Sequence, residues 1–226
     1  MRKIVGVVAF LYCLSLSNVA NSAELFFGVE QGKYAAPSTD DFNDNNTATV
    51  RHSWTVARMD WAPSEILLIH LCLGGQRSDI DDTGLAPSIG TQDDRYFNHF
   101  GIGIGLDQEL DTGGALIIGV SANWTSSEWT DATNGDYTYD AMLTKFHCMY
   151  AFLDPGKARP YLGVSYNTYE GDLKNPGGAN PDVKLMPDAR INLVAGVRAK
   201  TDTVYGIMEA TLGGEFGVKL GLEFSF

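Results

Sequence analysis

Along most of this 226-residue chain, apolar side chains recur at every second position, with polar or small residues between them. In the stretch EFGVKLGLEFSF (215–226), Phe216, Val218, Leu220, Leu222, Phe224 and Phe226 alternate with Glu215, Gly217, Lys219, Gly221, Glu223 and Ser225. A period of two is the repeat of a β-strand, whose side chains point to opposite faces in turn. The pattern predicts ten strands, at 24–34, 50–62, 65–75, 95–108, 114–124, 141–153, 159–169, 189–200, 203–212 and 215–226. Most have the roughly 9–11 residues with which a tilted strand crosses a bilayer.

The links between them alternate in length. Long polar links fall at 35–49, 76–94, 125–140 and 170–188. Short ones are APS (62–64), ELDTGG (109–114), DPGKA (154–158) and TD (201–202), and the last link is only GG (213–214). A barrel with both chain ends on one side of a membrane has this asymmetry, with short turns beside the ends and long loops opposite. No linker or charge block divides the chain. The expected fold is therefore all-β, a single closed antiparallel up-and-down transmembrane barrel with short periplasmic turns and long extracellular loops.

Alternation alone does not say which face is outside. Across 100–107 the apolar face is Phe100, Ile102, Ile104 and Leu106, and the other is Gly101, Gly103, Gly105 and Asp107. Across 190–200, Arg190, Asn192, Gly196, Arg198 and Lys200 oppose Ile191, Leu193, Ala195, Val197 and Ala199. Small residues with scattered charges of both signs suit a narrow filled lumen rather than a solvated exterior. Glu30, Arg58, Asp60, Lys145, Arg198, Glu209, Lys219 and Glu223 all take the inward parity. A basic residue facing lipid at mid-depth costs about 2–4 kcal/mol and an acidic one less, so an interior ion-pair network is expected. Tyr34, Trp61, Tyr96, Phe97, Trp124, Tyr150, Phe152, Tyr161 and Phe226 fall near predicted strand ends, where interfacial girdles form.

The first residues add a destination. Arg2 and Lys3 precede an apolar run over 4–16, and Ala20 and Ser22 follow at small-residue positions. This is the layout of a secretory signal peptide (1–22) cleaved after Ser22, leaving a barrel domain at 23–226. Beyond it, no apolar run approaches the ~20 residues of a membrane helix. The chain has 28 Asp and Glu against 16 Lys and Arg, two of which leave with the signal. Such an acidic balance argues against nucleic acid as a partner.

On these residues the chain resembles Gram-negative outer-membrane β-barrels. Leu220, Leu222, Phe224 and Phe226 are similar to the terminal strand that the barrel assembly machinery reads in that class. The whole of 23–226 resembles the small barrel family that includes the OmpA transmembrane domain, OmpX and OmpW. The resemblance implies outer-membrane lipid and lipopolysaccharide as surroundings, no cofactor, and eight strands as the alternative to the ten counted here.

Candidate chemistry is sparse. His52, His70, His99 and His147 share lumen parity. If 75 and 95 are partners across the second long link, His70 falls beside His99, and an imidazole pair could bind a metal or titrate. The plainer reading, a polar lumen residue bonded to a carboxylate, is preferred for each. In DIDDTG (79–84), Asp79, Asp81 and Thr83 have the alternation of a calcium loop, but position twelve is Gly90 rather than glutamate. Ser121 and Ser165 face the lumen, and no short motif joins either to a histidine. Cys72 and Cys148 fall on non-neighbouring strands, so both thiols are expected to be free. The functional expectation is an outer-membrane barrel with a structural, adhesive or narrow-pore role and no enzymatic activity. The alternatives are a barrel-embedded hydrolase acting on lipid or peptide, and a soluble lipocalin-like binding barrel.

Overall fold

The computed structural model describes residues 22–40, 46–82, 97–110, 113–131, 135–152, 158–174, 183–201 and 204–225. They form ten antiparallel strands: β1 (Ser22–Asp40), β2 (Asn46–Ala62), β3 (Leu67–Asp82), β4 (Phe97–Leu110), β5 (Gly114–Asp131), β6 (Gly135–Phe152), β7 (Ala158–Lys174), β8 (Val183–Thr201), β9 (Val204–Gly213) and β10 (Glu215–Ser225). Each pairs with its sequence neighbours, and β1 closes on β10, so the sheet is a complete barrel. Residues 1–21 of the predicted signal segment lie outside the described residues, and Ser22, its last, opens β1.

The apolar face is the outer one. On β8, Ile191 is 72% exposed and Leu193 60%, whereas Asn192 and Val194 between and beside them are 0% and 1% exposed. On β10, Phe216, Val218, Leu220 and Leu222 are exposed while Glu215 and Glu223 are buried. The outward positions of β4 (Phe100, Ile102, Ile104, Leu106) continue the same belt. A water-soluble barrel would turn this arrangement inside out, because exposed apolar area of this extent is unfavourable in water and neutral in hydrocarbon. The geometry is therefore that of a barrel wrapped by lipid.

The strands are longer than the alternation predicts. The links expected at 35–49, 76–94, 125–140 and 170–188 are in large part ladder: β5 and β6, for example, stay paired from Thr125↔Ala141 up to Asp131↔Gly135. Above the apolar belt the outer face of a strand no longer meets lipid, so no period-two signal is required. The backbone pairing continues there without it.

The barrel does not keep ten strands over its whole height. β9 and β10 are joined by a turn at Gly213 and Gly214 that ends well below the tops of the other hairpins. Past that turn β1 and β8 pair directly, with Ser38↔Leu185, Thr39↔Lys184 and Asp40↔Val183. The wall thus has ten strands at the short-turn end and eight at the long-hairpin end. A register shift between Tyr169 and Gly171 leaves an extra residue on β8, near Pro187. Proline lacks the N–H a regular ladder requires and is tolerated at such a bulge, which bends the strand towards its new partner. Gly213 has φ +145°, and a Cβ there would stand 2.6 Å from the Ile191 carbonyl oxygen, so the turn requires glycine.

Candidate functional site: a half-closed charged lumen

The change from ten to eight strands divides the interior. At the short-turn end lies a cavity of about 800 Å³, with Glu65, Asp107 and Arg159 at its mouth and Trp54, Leu143 and Glu215 at its inner end. Beyond these, towards the long hairpins, the inward side chains among the described residues are packed. Tyr139 and Asn192 are 0% exposed, Leu185 1% and Leu173 2%. The void next to the partition, among His52, Trp54, Asn167, Tyr169, Arg190 and Glu215, measures only about 20 Å³. An eight-stranded wall leaves an interior just wide enough for side chains to fill, which is the physical reason for the plug.

Two arginines organise the mouth of the cavity. Arg58 donates through Nε and Nη2 to Asp60 Oδ2 at 3.0 and 2.7 Å, and its guanidinium lies 3.8 Å from Glu223. Arg198 donates to Glu24 Oε1 at 2.7 Å and also contacts Glu223. The oxygens of Glu24, Asp60 and Glu223 lie within 4.8 Å of one another, a spacing that could hold a metal ion. The two guanidiniums already stand among them, so these carboxylates are compensated by protein cations. The Phe26 ring has Arg58 and Lys219 each 5.1 Å from its centroid, and Arg198 lies 3.9 Å above Tyr205.

Midway up, one row of register partners runs Tyr161, Gly196, Glu209, Lys219, Glu30 and Trp54 across β7, β8, β9, β10, β1 and β2. Tyr161 crosses Gly196 to donate its hydroxyl to Glu209 at 2.8 Å. Lys145 approaches the same carboxylate at 3.9 Å from β6. At the partition, Glu215 accepts from Asn167 Nδ2 at 2.7 Å, and its backbone N–H donates to Asn192 Oδ1 at 2.8 Å. His52 stacks on Trp54 at 4.5 Å and lies 3.6 Å from Glu215.

The inner glycines act as floors for these side chains. A Cβ on Gly103 would meet the His70 ring, one on Gly119 would stand 2.5 Å from His147, and one on Gly32 2.5 Å from His52. Gly221 and Gly28 make the same room for Phe26. Rings lie flat on neighbouring strands where glycine removes the side chain beneath them, so the ten-stranded section keeps an open axis.

All eight inward-parity charges lie on the lumen side, lining the cavity. The histidine pairing does not form: His70 is the partner of Gly103 and His99 that of Gly74, because the β3–β4 register is shifted from the one assumed. Asp79 and Asp81 lie within β3 opposite Arg51 and Thr49, and an extended strand does not wrap an ion as a calcium loop does. Thr83 lies outside the described residues, as does Phe226. Leu220 and Leu222 are on the outer face with Phe224 above Phe27. Cys72 is buried, Cys148 is exposed, and both are free. Tyr161, grouped by sequence with the interfacial aromatics, points into the lumen. Ser165 stands opposite His147 in register, yet the imidazole turns towards Gly119 on the other side, and Ser165 is 2% exposed.

Sequence reasoning missed Glu24, Tyr161, Asn167 and Glu215 as members of the network. Strand parity alone would have identified Glu24 and Glu215, which open the predicted strands 24–34 and 215–226 on the inward parity.

No protein-family model matches the sequence, and no curated protein matches it. Among solved structures, the outer-membrane protease OmpT from Escherichia coli is 10% identical, with 91% of this chain and 96% of that one covered and a TM-score of 0.50. The transport unit of the Escherichia coli autotransporter AIDA-I is 12% identical over 95% and 97% of the two chains, with a TM-score of 0.49. The outer-membrane protein OprG from Pseudomonas aeruginosa is 11% identical over 92% and 96%, with a TM-score of 0.47. Each is a likeness of fold.

Proposed function

We propose that this chain, which has the fold of outer-membrane β-barrels, is exported after signal-peptide cleavage and spans the outer membrane of a Gram-negative bacterium. There it is a closed barrel, non-enzymatic and non-conducting, that holds its hairpins above the membrane in a structural or adhesive role. The exposed apolar belt supports the membrane placement. The observation that carries the functional reading is the burial of inward side chains above the cavity, where, among the described residues, Tyr139, Leu173, Leu185 and Asn192 are at most 2% exposed. This favours a scaffold over the narrow pore that the sequence also permits. Against catalysis stands the geometry of Ser165 and His147: the serine is 2% exposed, and the imidazole lies over Gly119 rather than towards the hydroxyl.

Planar-bilayer recording of the refolded full chain tests the proposal. The expected record is silent. Stable single-channel openings would replace the scaffold reading with a pore.

A further inference from the structure

The cavity has two unlike walls. Most of its charged side chains stand on β1, β2 and β7 to β10. The wall formed by β3 to β6 carries Leu68, Cys72, Ile117 and Met149, and Lys145 is the only Lys or Arg among its described lining residues. The His70 and His147 rings lie over Gly103 and Gly119 on this wall. Gly103 pairs with Ser121 and Gly105 with Gly119, so the two covered positions are diagonal neighbours across β4 and β5. Small side chains and flattened rings give this side of the cavity a smooth, largely apolar face.

The same wall ends in acid. On β4 the inward positions run Gly103, Gly105, Asp107 and Glu109 towards the short turn. Glu65 lines the mouth beside them, and its neighbour Ile66 accepts a backbone hydrogen bond from Asp107 at 2.9 Å. All three carboxylates are exposed, and among the described residues no ion pair reaches any of them. The cations are held elsewhere. Arg58 and Arg198 are engaged by Asp60, Glu24 and Glu223, Arg159 is the register partner of Arg198 on β7, and Lys200 lies over Tyr205. Setting aside Glu215, which shares the void at the partition with Arg190, carboxylates outnumber Lys and Arg eight to five along the cavity. Asp60, 3% exposed, takes both Arg58 bonds on Oδ2, and its Oδ1 has no hydrogen-bond partner among the described residues. It is the register partner of His70, at the edge of the smooth wall.

We infer that the cavity binds an amphipathic organic cation with a planar apolar body, which enters from the short-turn end. The body lies against β3 to β6, and the cationic group stands among Asp60, Asp107 and Glu109. A cleft lined by an excess of one charge, with low-dielectric walls, concentrates the opposite charge. An enclosed space of about 800 Å³ with one apolar wall and a few polar groups at its end has the size and character of a small-molecule site. The acidic end alone would hold any cation and the smooth wall alone any apolar molecule; their junction selects a guest that is both. The inference goes beyond the scaffold role and shares with it only the partition above the cavity.

The test is equilibrium dialysis at neutral pH of the full chain folded in neutral detergent, with detergent alone as the blank. N-methylacridinium is the probe. Neutral acridine has the body without the charge, and tetramethylammonium the charge without the body. N-methylacridinium is expected to bind at one site per chain, and the other two at least about tenfold more weakly. Asp107→Asn/Glu109→Gln lowers its affinity about tenfold, whereas Asp140→Asn/Glu170→Gln, with the same change in net charge on exposed residues nearer the long hairpins, leaves it unaltered. Ile117→Trp, which fills the smooth wall and keeps every charge, also weakens binding. Folding of each variant is checked by heat-modifiable migration. Equal binding of acridine overturns the cationic assignment, and equal binding of tetramethylammonium overturns the apolar wall. Equal loss in the two charge variants reduces the effect to overall charge and sinks the site. Silent bilayer recordings with no N-methylacridinium bound sink this inference alone, and channel openings sink the scaffold reading.

Discussion

Tyr161 on β7 lies across Gly196 on β8 and hydrogen-bonds Glu209 on β9 at 2.8 Å, so one side chain links three strands. The link depends on glycine: a Cβ at position 196 would collide with the Tyr161 ring and stand 2.8 Å from the Met208 carbonyl oxygen. Gly196→Ala is expected to destabilise the barrel by about 1–3 kcal/mol through overpacking. Tyr161→Phe, which loses a hydrogen bond to a charged acceptor, should cost about 1.5–3 kcal/mol. Because both changes break the same contact, the double variant should cost less than their sum. Urea unfolding of the refolded protein, monitored by tryptophan fluorescence, measures all three.

Arg198 is shared by Glu24 and Glu223, and Glu223 is 2% exposed. Arg198→Met leaves that carboxylate with Arg58 at 3.8 Å as its remaining cation. Removing one partner of a buried charged group costs about 3–5 kcal/mol. Lys200, exposed on the same strand with only a cation–π contact 5.2 Å from the Tyr205 centroid, is the control, and Lys200→Met should cost no more than about 1 kcal/mol. Equal effects of the two changes in urea unfolding would show that the mouth cluster is not a stabilising unit.

Trp54 and Leu143 line both the large cavity and the small void beyond it, and so form part of the partition. Trp54→Ala/Leu143→Ala is expected to add single-channel steps in a planar bilayer where the parent shows none. If the double variant remains silent although folded, the block lies higher, among Tyr139, Leu173 and Leu185.

The thiols report the two faces independently. Cys148 is exposed beside Phe146 on the apolar belt, whereas Cys72 is 6% exposed and faces the lumen. In liposomes a lipid-soluble maleimide should label Cys148 quickly and Cys72 slowly, and a charged, membrane-impermeant maleimide should label Cys148 poorly. Rapid labelling of Cys148 by the charged reagent would place that face in water.

Gly213→Ala tests the turn that converts ten strands into eight. Its φ of +145° and the nearby Ile191 carbonyl leave no relaxed conformation for an L side chain. A loss of about 1–3 kcal/mol in urea unfolding is expected.

What the sequence by itself determined was parity. Alternation of Phe216, Val218, Leu220 and Leu222 with Glu215, Lys219 and Glu223 settles which residues share a face, because successive side chains on any strand point opposite ways. Link lengths likewise sufficed for strand number and for the end at which the turns are short. What only the tertiary structure decided was register and closure. Parity does not say how far one strand slides against the next, so an assumed register paired His70 with the wrong neighbour; nearness to a strand end likewise grouped Tyr161 with the interfacial aromatics, although it reaches across the lumen to Glu209. The β1–β8 seam and the room that Gly221 on β10 makes for Phe26 on β1 join strands distant in sequence. They exist only once the sheet has curled round and met its own edge.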